Sequence, residues 1–259
     1  MKYTLITGAS RGIGEAMAKY CASKKFNLVL VARTEEKLKE LCDELKKRYG
    51  VDAKYYSTDL TDCDSIRQLY GWCGQEGLQI DKLINNAGIG IYGKFTDLSL
   101  EDQMNLIRLN QLATVTLTYT FLPMLRGNDK GYLLNVSSTA CFQPIPYMSI
   151  YAATQAFLHS FTLALREELK HTRVNVSVLC PGPTATGFFE KAGLQQLPVN
   201  SNEIKMTPEE VAQIAIEDLL ENESEIIPGT NNRIGAYLSK LFPNKLIIKT
   251  VGSLFAPKY

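Results

Sequence analysis

Residues 3–14 read Tyr3-Thr-Leu-Ile-Thr-Gly-Ala-Ser-Arg-Gly-Ile-Gly14, and a helical pattern follows from Glu15 to Lys24. The apolar run predicts a short buried strand that a glycine-rich turn joins to a helix. Glycine lets the backbone approach a phosphate closely, and a helix N-terminus offers free N–H groups and the positive end of its dipole. Such a turn can be purely structural, but a strand before it and a helix after it favour a dinucleotide site.

The second predicted strand, Asn27–Ala32, is followed by a positively charged side chain, that of Arg33. An acidic residue at this strand end would accept a hydrogen bond from the 2′-hydroxyl of an adenosine ribose, whereas this chain has Arg33 there. Arg33 and Arg11 of the glycine turn would together suit a 2′-phosphate. These residues therefore favour NADP(H) over NAD(H). The structural alternative is that Arg33 is a solvated charge at a strand end.

Strands and helices alternate through the rest of the first half. The predicted elements are helix Glu35–Tyr49, strand Asp52–Ser57 before Asp59 and Leu60, helix Ser65–Gln75, and a strand from Lys82 that ends in Asn85-Asn-Ala-Gly88. Alternation at this spacing predicts an α/β fold in which helices cover both faces of a parallel sheet. Ligands of such sheets bind at the carboxyl ends of the strands, where the glycine turn and Arg33 fall.

The second half begins with a long helical pattern from Ser99 to Leu125, followed later by predicted strands at 174–180 and 224–228. Residues 187–206 show weak periodicity, and we expect them to form a lid over a substrate, as loops of that length often do. The C-terminal extension, 229–259, carries apolar residues among lysines. It predicts a pocket wall or a subunit contact, which proline and glycine interruptions favour, or else a basic amphipathic surface.

Two hydroxyl residues between these elements indicate chemistry. The run Leu133-Leu-Asn-Val-Ser-Ser-Thr-Ala140 predicts a buried strand with hydroxyl groups at its tip, and Tyr151 opens a helical pattern that reaches Lys170. Ser138 and Tyr151 could together handle the proton of an alcohol or a carbonyl. Position 155 lies on the same helix face as Tyr151, one turn further on. The structural alternative is that Ser138 caps a loop and Tyr151 is a half-buried aromatic residue.

Composition excludes several other classes of protein. The chain is 45% hydrophobic and 21% charged, with a net charge of +1. Its overall electrostatic field therefore does not favour the binding of a nucleic acid. Its six cysteines are scattered without a Cys-x-x-Cys pair, which argues against a metal site or a disulfide framework and for a reducing compartment. We see no signal peptide and no transmembrane segment in the sequence, and therefore expect a cytoplasmic protein.

Taken together, Thr7-Gly-x-x-x-Gly-x-Gly14, Asn85-Asn-Ala-Gly88, Asn110, Ser138, Tyr151 and Pro181-Gly182 resemble the short-chain dehydrogenase/reductase family, in particular its NADP-dependent branch. The resemblance implies a Rossmann-type doubly wound parallel sheet of about seven strands, with NADP(H) bound at its switch point. It also implies a single dinucleotide-binding domain over residues 1–259, hydride transfer between the nicotinamide and a carbonyl or alcohol, and a homo-dimer or tetramer.

The resemblance also assigns roles to residues. Ser138 would orient the substrate oxygen, Tyr151 would donate or accept its proton, and Asn110 would complete a proton relay. The remaining matches would hold the cofactor: Gly8, Ser10, Arg11, Gly12, Ile13 and Gly14 at the pyrophosphate and ribose, Asp59 and Leu60 at the adenine, Asn86, Ala87 and Gly88 behind the cofactor, and Pro181, Thr184 and Thr186 at the nicotinamide.

Position 155 departs from the family pattern Tyr-x-x-x-Lys, because this chain has Gln155. A glutamine can still hydrogen-bond a ribose hydroxyl, but it supplies no charge. A cation about 4 Å from a phenolate is worth about 4 kcal/mol at an effective dielectric constant near 20, or roughly 3 pKa units. We therefore expect an intact cofactor pocket in which Tyr151 and Gln155 still contact the cofactor. Proton transfer should be slowed by about 100-fold.

Three interpretations follow from Gln155. The chain is an NADP(H)-dependent reductase or dehydrogenase that is slow or tolerates glutamine; or a cofactor-binding pseudoenzyme with a regulatory or scaffolding role; or an ordinary enzyme in which lysine has been replaced. The candidate substrate walls are apolar and aromatic and favour an uncharged lipophilic carbonyl: Ile89, Tyr92, Cys141, Phe142, Tyr147, Phe188 and Phe189.

Overall fold

Seven parallel strands form one sheet at the centre of the molecule, in the order β3-β2-β1-β4-β5-β6-β7. The computed structural model describes residues 1–194 and 206–256. The strands are β1 Lys2–Thr7, β2 Asn27–Ala32, β3 Ala53–Ser57, β4 Gln79–Asn85, β5 Gly131–Val136, β6 Val174–Leu179 and β7 Glu225–Ile226. Most of their residues are buried, because helices cover both faces of the sheet. The predicted doubly wound parallel sheet is therefore confirmed.

Ten α-helices accompany these strands in the described part of the chain. On one face α1, α2 and α8 pack through residues such as Met17, Leu38 and Val211. On the other face α3, α5 and α6 pack through residues such as Ile66, Phe121 and Leu165. The helices are α1 Gly12–Ser23, α2 Glu35–Tyr49, α3 Cys63–Gln75, α4 Leu100–Ile107, α5 Thr114–Arg126, α6 Ser149–Glu168, α7 Phe188–Lys191, α8 Pro208–Leu220, α9 Thr230–Leu241 and α10 Asn244–Phe255.

The strand order reverses at β1, which pairs with β2 on one side and β4 on the other. The chain thus winds outward in both directions from this point, and the connections on either side leave a crevice between the carboxyl ends of β1 and β4. The glycine turn and the Asn86–Gly88 segment follow these two strands directly. None of the described helices combines the length and the apolar composition needed to cross a membrane.

Several predicted boundaries are wrong in informative ways. Helix α1 begins at Gly12 rather than Glu15, so two of the glycines form its first turn. The single helix predicted from Ser99 is divided by a π-helical turn, Arg108–Ala113, between α4 and α5. The last strand is only Glu225–Ile226. Of the predicted lid, 187–206, residues 195–205 lie outside the described part of the chain.

Candidate active site

A cavity of about 440 Å³ lies at the carboxyl ends of β1, β4, β5 and β6. It extends from the glycine turn, past the tip of β5, to helices α7 and α10. Most of the residues predicted for the site line this one cavity: Gly8, Arg11, Gly12, Ile13, Asn86, Ala87, Gly88, Ser138, Tyr151, Gln155, Pro181, Thr184 and Thr186. Segments that are far apart in the sequence therefore meet where the strand order reverses.

The other predicted residues lie outside the lining of this cavity. Arg33 and Asp59 face each other at the ends of β2 and β3, with Nη1 and Oδ2 3.8 Å apart and both side chains largely exposed. Leu60 is buried in the core beside β2. Ser10 lies in the glycine turn. Gly14 and Asn110 do not line the cavity but contact residues close to it, as described below. Arg33 thus stays accessible at the edge where a 2′-phosphate was predicted.

The glycine turn is packed against the chain itself. Gly8 has φ +67°, and a Cβ on it would lie 2.8 Å from Asn86 Nδ2. A Cβ on Gly14 would lie 2.5 Å from both the Gly8 carbonyl oxygen and Asn86 Nδ2. Asn86 Nδ2 in turn donates to the Thr7 carbonyl at 2.9 Å. At Gly8 and Gly14 the glycine is therefore required by the contact between β1 and the end of β4, and not only by the approach of a phosphate.

Ser138 and Tyr151 meet on one wall of the cavity. Ser138 follows β5 and caps a 3₁₀ turn, Thr139–Phe142, by accepting a hydrogen bond from the Ala140 N–H at 3.1 Å. Tyr151 lies in the first turn of α6. Burial raises the pKa of Tyr151 to about 12, although a hydrogen bond with Ser138 acts to lower it. The phenol is therefore a protonated group at neutral pH.

Gln155 lies one helical turn beyond Tyr151 and also lines the cavity. The residue is 4% exposed, and its Oε1 atom has no hydrogen-bond partner among the described residues. A buried acceptor without a donor costs free energy, so a hydroxyl group of a ligand would fit here. The influences on the pKa of Tyr151 are burial, Ser138 and Cys141, with no cation among them in the described part of the chain. Gln155 thus keeps the hydrogen-bonding capacity expected at this position, without the charge.

Asn110 is placed by the π-helical turn and does not line the cavity. Its Oδ1 accepts a hydrogen bond from the Ile89 N–H at 3.0 Å, and its Nδ2 donates to the Ile89 carbonyl at 3.0 Å and to Thr154 Oγ1 at 3.1 Å. Thr154 Oγ1 donates to the Tyr151 carbonyl at 2.8 Å. The Asn110 side chain therefore links the loop after β4 to the first turn of α6, next to Tyr151.

The rest of the cavity wall is apolar and differs in part from the prediction. Ile89, Phe188 and Phe189 line it, as expected. Tyr92, Cys141, Phe142 and Tyr147 do not line it, and that part of the prediction is wrong. The Tyr92 hydroxyl instead donates to the Phe255 carbonyl at 2.6 Å, and the Cys141 thiol lies 3.8 Å from that of Cys180.

Helix α10 contributes wall residues that the sequence motifs did not identify: Val251, Leu254 and Phe255. This agrees with the pocket-wall interpretation of the C-terminal extension. The only signal in the sequence was the amphipathic pattern of the tail, which did not specify what the apolar side covers.

Comparisons with known proteins agree with this arrangement. A family model described as short chain dehydrogenase matches residues 2–197. The NADP-dependent 3-hydroxy acid dehydrogenase of Schizosaccharomyces pombe is 34% identical over 235 residues, which cover 88% of this chain and 91% of that protein.

Solved structures of other proteins share the fold. A 7beta-hydroxysteroid dehydrogenase superposes with a TM-score of 0.86 at 28% identity, covering 96% of both chains. A short-chain dehydrogenase from Sphingobium yanoikuyae in complex with NADPH superposes with a TM-score of 0.82 at 30% identity, covering 93% of this chain and 95% of that one. The similarity therefore extends over nearly the whole chain.

Proposed function

This chain belongs to the short-chain dehydrogenase/reductase family, and on that premise we propose that it is an NADP(H)-dependent oxidoreductase for a lipophilic carbonyl or alcohol. One observation carries the proposal. The hydroxyl-bearing residues Ser138 and Tyr151 and the unpartnered amide oxygen of Gln155 share a cavity with the glycine turn at the N-terminus of α1. Hydride-transfer enzymes need a nucleotide site and a proton donor in one enclosed space.

NADP(H) is the cofactor that the binding residues favour. The N-terminus of α1 would hold the pyrophosphate, and Arg11 and Arg33 would hold the 2′-phosphate. The Schizosaccharomyces relative is NADP-dependent and the Sphingobium structure contains NADPH, which supports this choice. When bound, NADPH supplies a hydride. Gln155 Oε1 would accept a hydrogen bond from a hydroxyl of the nicotinamide ribose.

The chain's own residues would manage the oxygen of the substrate. Ser138 donates a hydrogen bond to the carbonyl oxygen and thereby orients it. The Tyr151 phenol, whose pKa burial raises to about 12, holds the proton that this oxygen takes up. Asn110 keeps the Tyr151 end of α6 in place through Thr154, so it is a positioning residue. The apolar wall around Phe188 and Phe255 excludes water and admits lipophilic carbonyl compounds.

A second candidate function is a cofactor-binding pseudoenzyme with a regulatory or scaffolding role. The observation that favours it is the absence of a cation among the influences on Tyr151 in the described residues. A replacement of lysine by glutamine in an otherwise ordinary enzyme would give the same structure, and it predicts that Gln155→Lys restores full activity.

We further propose that the protein is a homo-oligomer in a reducing, cytoplasmic environment. An apolar outer surface on α5 and α6 supports self-association, and six free cysteines support the reducing compartment. The assignment of residues 1–259 to a single dinucleotide-binding domain also stays a proposal. The motifs in β1 through β6 and the wall residues of α10 support it, because they share one cavity.

The proposal is tested by measuring cofactor binding and turnover separately. NADPH should raise the Tm more than NADH does, and Arg33→Gln should remove the difference. NADPH should be oxidised with a panel of lipophilic ketones, and Tyr151→Phe should lower kcat/KM by about 10²- to 10⁴-fold with NADPH binding retained. Tyr49→Phe, on α2, is the matched control. NADPH binding without oxidation of any ketone, by wild type or by Gln155→Lys, would establish the pseudoenzyme instead.

A further inference from the structure

Three possible metal ligands converge behind the wall that carries Ser138. Cys141 belongs to the 3₁₀ turn after Ser138, Cys180 follows β6, and His159 lies two turns beyond Tyr151 on α6. One ligand atom of each lies within 4.8 Å of the other two, and no other group of at least three such residues occurs in the described ranges. The scattered cysteine spacing predicted no metal site, but the parallel sheet brings two of these residues together at its carboxyl edge.

The distances suit a tetrahedral thiolate site. The Sγ atoms of Cys141 and Cys180 are 3.8 Å apart, and both thiols are free. Two thiolates bound to one Zn²⁺ at about 2.3 Å in tetrahedral geometry lie about 3.8 Å from each other. A set of two sulfurs and one imidazole nitrogen selects Zn²⁺ over Mg²⁺ or Ca²⁺, which prefer oxygen ligands.

A carboxylate contacts Nε2 of His159, which leaves Nδ1 as the ring nitrogen that would bind a metal. His159 Nε2 lies 2.5 Å from Oε1 of Glu225, the first residue of β7. A histidine that binds a metal through one ring nitrogen almost always donates its other N–H to such an acceptor, which fixes the ring orientation. The Phe142 ring packs edge-on against the imidazole, with the ring centroids 5.2 Å apart.

We propose that Cys141, Cys180 and His159 bind one Zn²⁺ ion, with Glu225 orienting the imidazole and water in the fourth position. The two thiols lose their protons on binding, and the two thiolates balance the charge of the ion. A disulfide between the two cysteines is the competing use of the pair, but it gives no role to His159 or Glu225.

The ion would fasten together two segments that bound the active-site cavity. Cys141 follows Ser138 by one 3₁₀ turn, and Cys180 directly precedes Pro181; Ser138 and Pro181 both line the cavity, whereas the two cysteines do not. The site therefore acts on stability and on the position of Ser138, and contributes nothing directly to the reaction. It is independent of the proposed function.

The test uses the tag-free, reduced, metal-stripped full chain. One equivalent of Co²⁺ should produce thiolate-to-cobalt charge-transfer absorption in the near ultraviolet, and Zn²⁺ should displace it. Zn²⁺ at 100 times its Kd should raise the Tm by about 5 °C. Glu225→Gln should weaken binding by about 10- to 100-fold.

Ligand variants identify the residues involved. Cys141→Ser should lose about half of the charge-transfer intensity, since one of two thiolates is removed, and His159→Gln should weaken binding by at least about tenfold. Cys63→Ser and His171→Gln are the matched controls and should change neither the charge-transfer intensity nor the affinity. Cys63 is half-buried like Cys141, and His171 is the other histidine of the chain. Circular dichroism establishes that each variant is folded.

Three outcomes would overturn the zinc site. The first is the absence of charge-transfer absorption in the wild-type protein. The second is a charge-transfer intensity that is unchanged in Cys141→Ser together with an affinity that is unchanged in His159→Gln. The third is a Cys141–Cys180 disulfide, formed with a low-molecular-weight disulfide as oxidant and seen as the loss of two hydrogens, in a protein that takes up no Zn²⁺ when reduced.

Discussion

Gln155 occupies the position where a cation would most affect the chemistry of the site. With no cation in contact among the described residues, burial raises the pKa of Tyr151 to about 12, so that very little of the protein carries tyrosinate at pH 7. In the proposed reaction, carbonyl reduction would use the protonated phenol and alcohol oxidation would use the phenolate. The charge at position 155 therefore bears most heavily on oxidation, where it sets the pH at which the base is available.

Gln155→Lys should move the alkaline rise of alcohol oxidation toward neutral pH. Below the pKa of Tyr151 the oxidation rate rises tenfold per pH unit, and a nearby cation lowers that pKa by roughly 3 units, so the rising limb should move by roughly 3 pH units. The measurement is kcat/KM for alcohol oxidation from pH 6 to 11. Gln155→Met, similar in length but uncharged, should leave the limb in place. An unchanged profile in a Gln155→Lys protein that still binds NADPH would contradict the lost-charge explanation.

Sequence spacing was sufficient to predict that some of these side chains line the cavity, but it could not predict the direction of others. Tyr151 and Gln155 share a helix face by the i, i+4 rule, and both line the cavity. The direction of Tyr92 and Cys141 could not be predicted in this way, because it depends on partners far away in the chain: the Phe255 carbonyl and the Cys180 thiol. Local patterns do not contain such partners.

At the scale of elements, the start of α1 is held by close contact with the end of β4. Gly14 is a helical residue, and a Cβ at this position would lie 2.5 Å from the Gly8 carbonyl oxygen. Because that neighbour is backbone, it cannot rotate away as a flexible side chain could. The contact couples the glycine turn to the Asn86 segment, and both flank the cavity.

Gly14→Ala should therefore destabilise the protein by about 2 kcal/mol, as overpacking of a tight contact does. Gly71→Ala is the matched control, because Gly71 also lies in a helix but has open space around its Cβ position. It should stabilise the protein by about 0.5 kcal/mol, since alanine is the better helix former. Urea unfolding gives both values. Equal effects of the two substitutions would show that the Gly14 contact is unimportant.

The existence of most elements could be predicted, but their interruptions could not. Apolar runs located the strands, and the structure shows a capping box at the start of α8, where Thr207 and Glu210 bond reciprocally. The π-helical turn at Arg108–Ala113 contains no glycine or proline from which it could have been predicted. Its position suits the hydrogen bonds of Asn110 with Ile89 and Thr154, which exist only in the folded molecule.

At the scale of the molecule, the outer surface of α5 and α6 carries exposed aromatic side chains. Tyr119 is 82% exposed, and Phe157 is 41% exposed while stacked on Phe161. Exposed aromatic side chains of this kind favour an interaction site. Two copies of the same surface can pack against each other about a two-fold axis.

The double variant Tyr119→Glu with Phe157→Glu should be monomeric where the wild-type protein is a dimer or larger. Burying two carboxylates without partners in an apolar contact costs several kcal/mol. Light scattering after size-exclusion chromatography measures the mass of each. Ile234→Glu places one carboxylate on an exposed apolar residue of α9 and should leave the mass unchanged. A monomeric wild-type protein, or dissociation by Ile234→Glu alone, would refute this interface.

The order of the strands was available only through the family resemblance. Alternation of strands and helices predicts a parallel sheet, but it does not by itself decide that β1 lies between β2 and β4. The cavity depends on that neighbourhood, because the glycine turn and Asn86 flank it from these two strands. The apolar wall from α10 required the three-dimensional structure.

The two ends of the cavity are built from different parts of the fold, and this has an evolutionary consequence. The end that would receive the cofactor is built from strand tips locked into the sheet, whereas the opposite wall is supplied by α7 and α10, outside the sheet. Substitutions in those two helices can therefore accumulate and change the substrate preference, while Tyr151 and the glycine turn, the proposed proton donor and cofactor site, stay unchanged. Diversification by this route would leave the ancestral half recognisable long after the preferred substrate had changed.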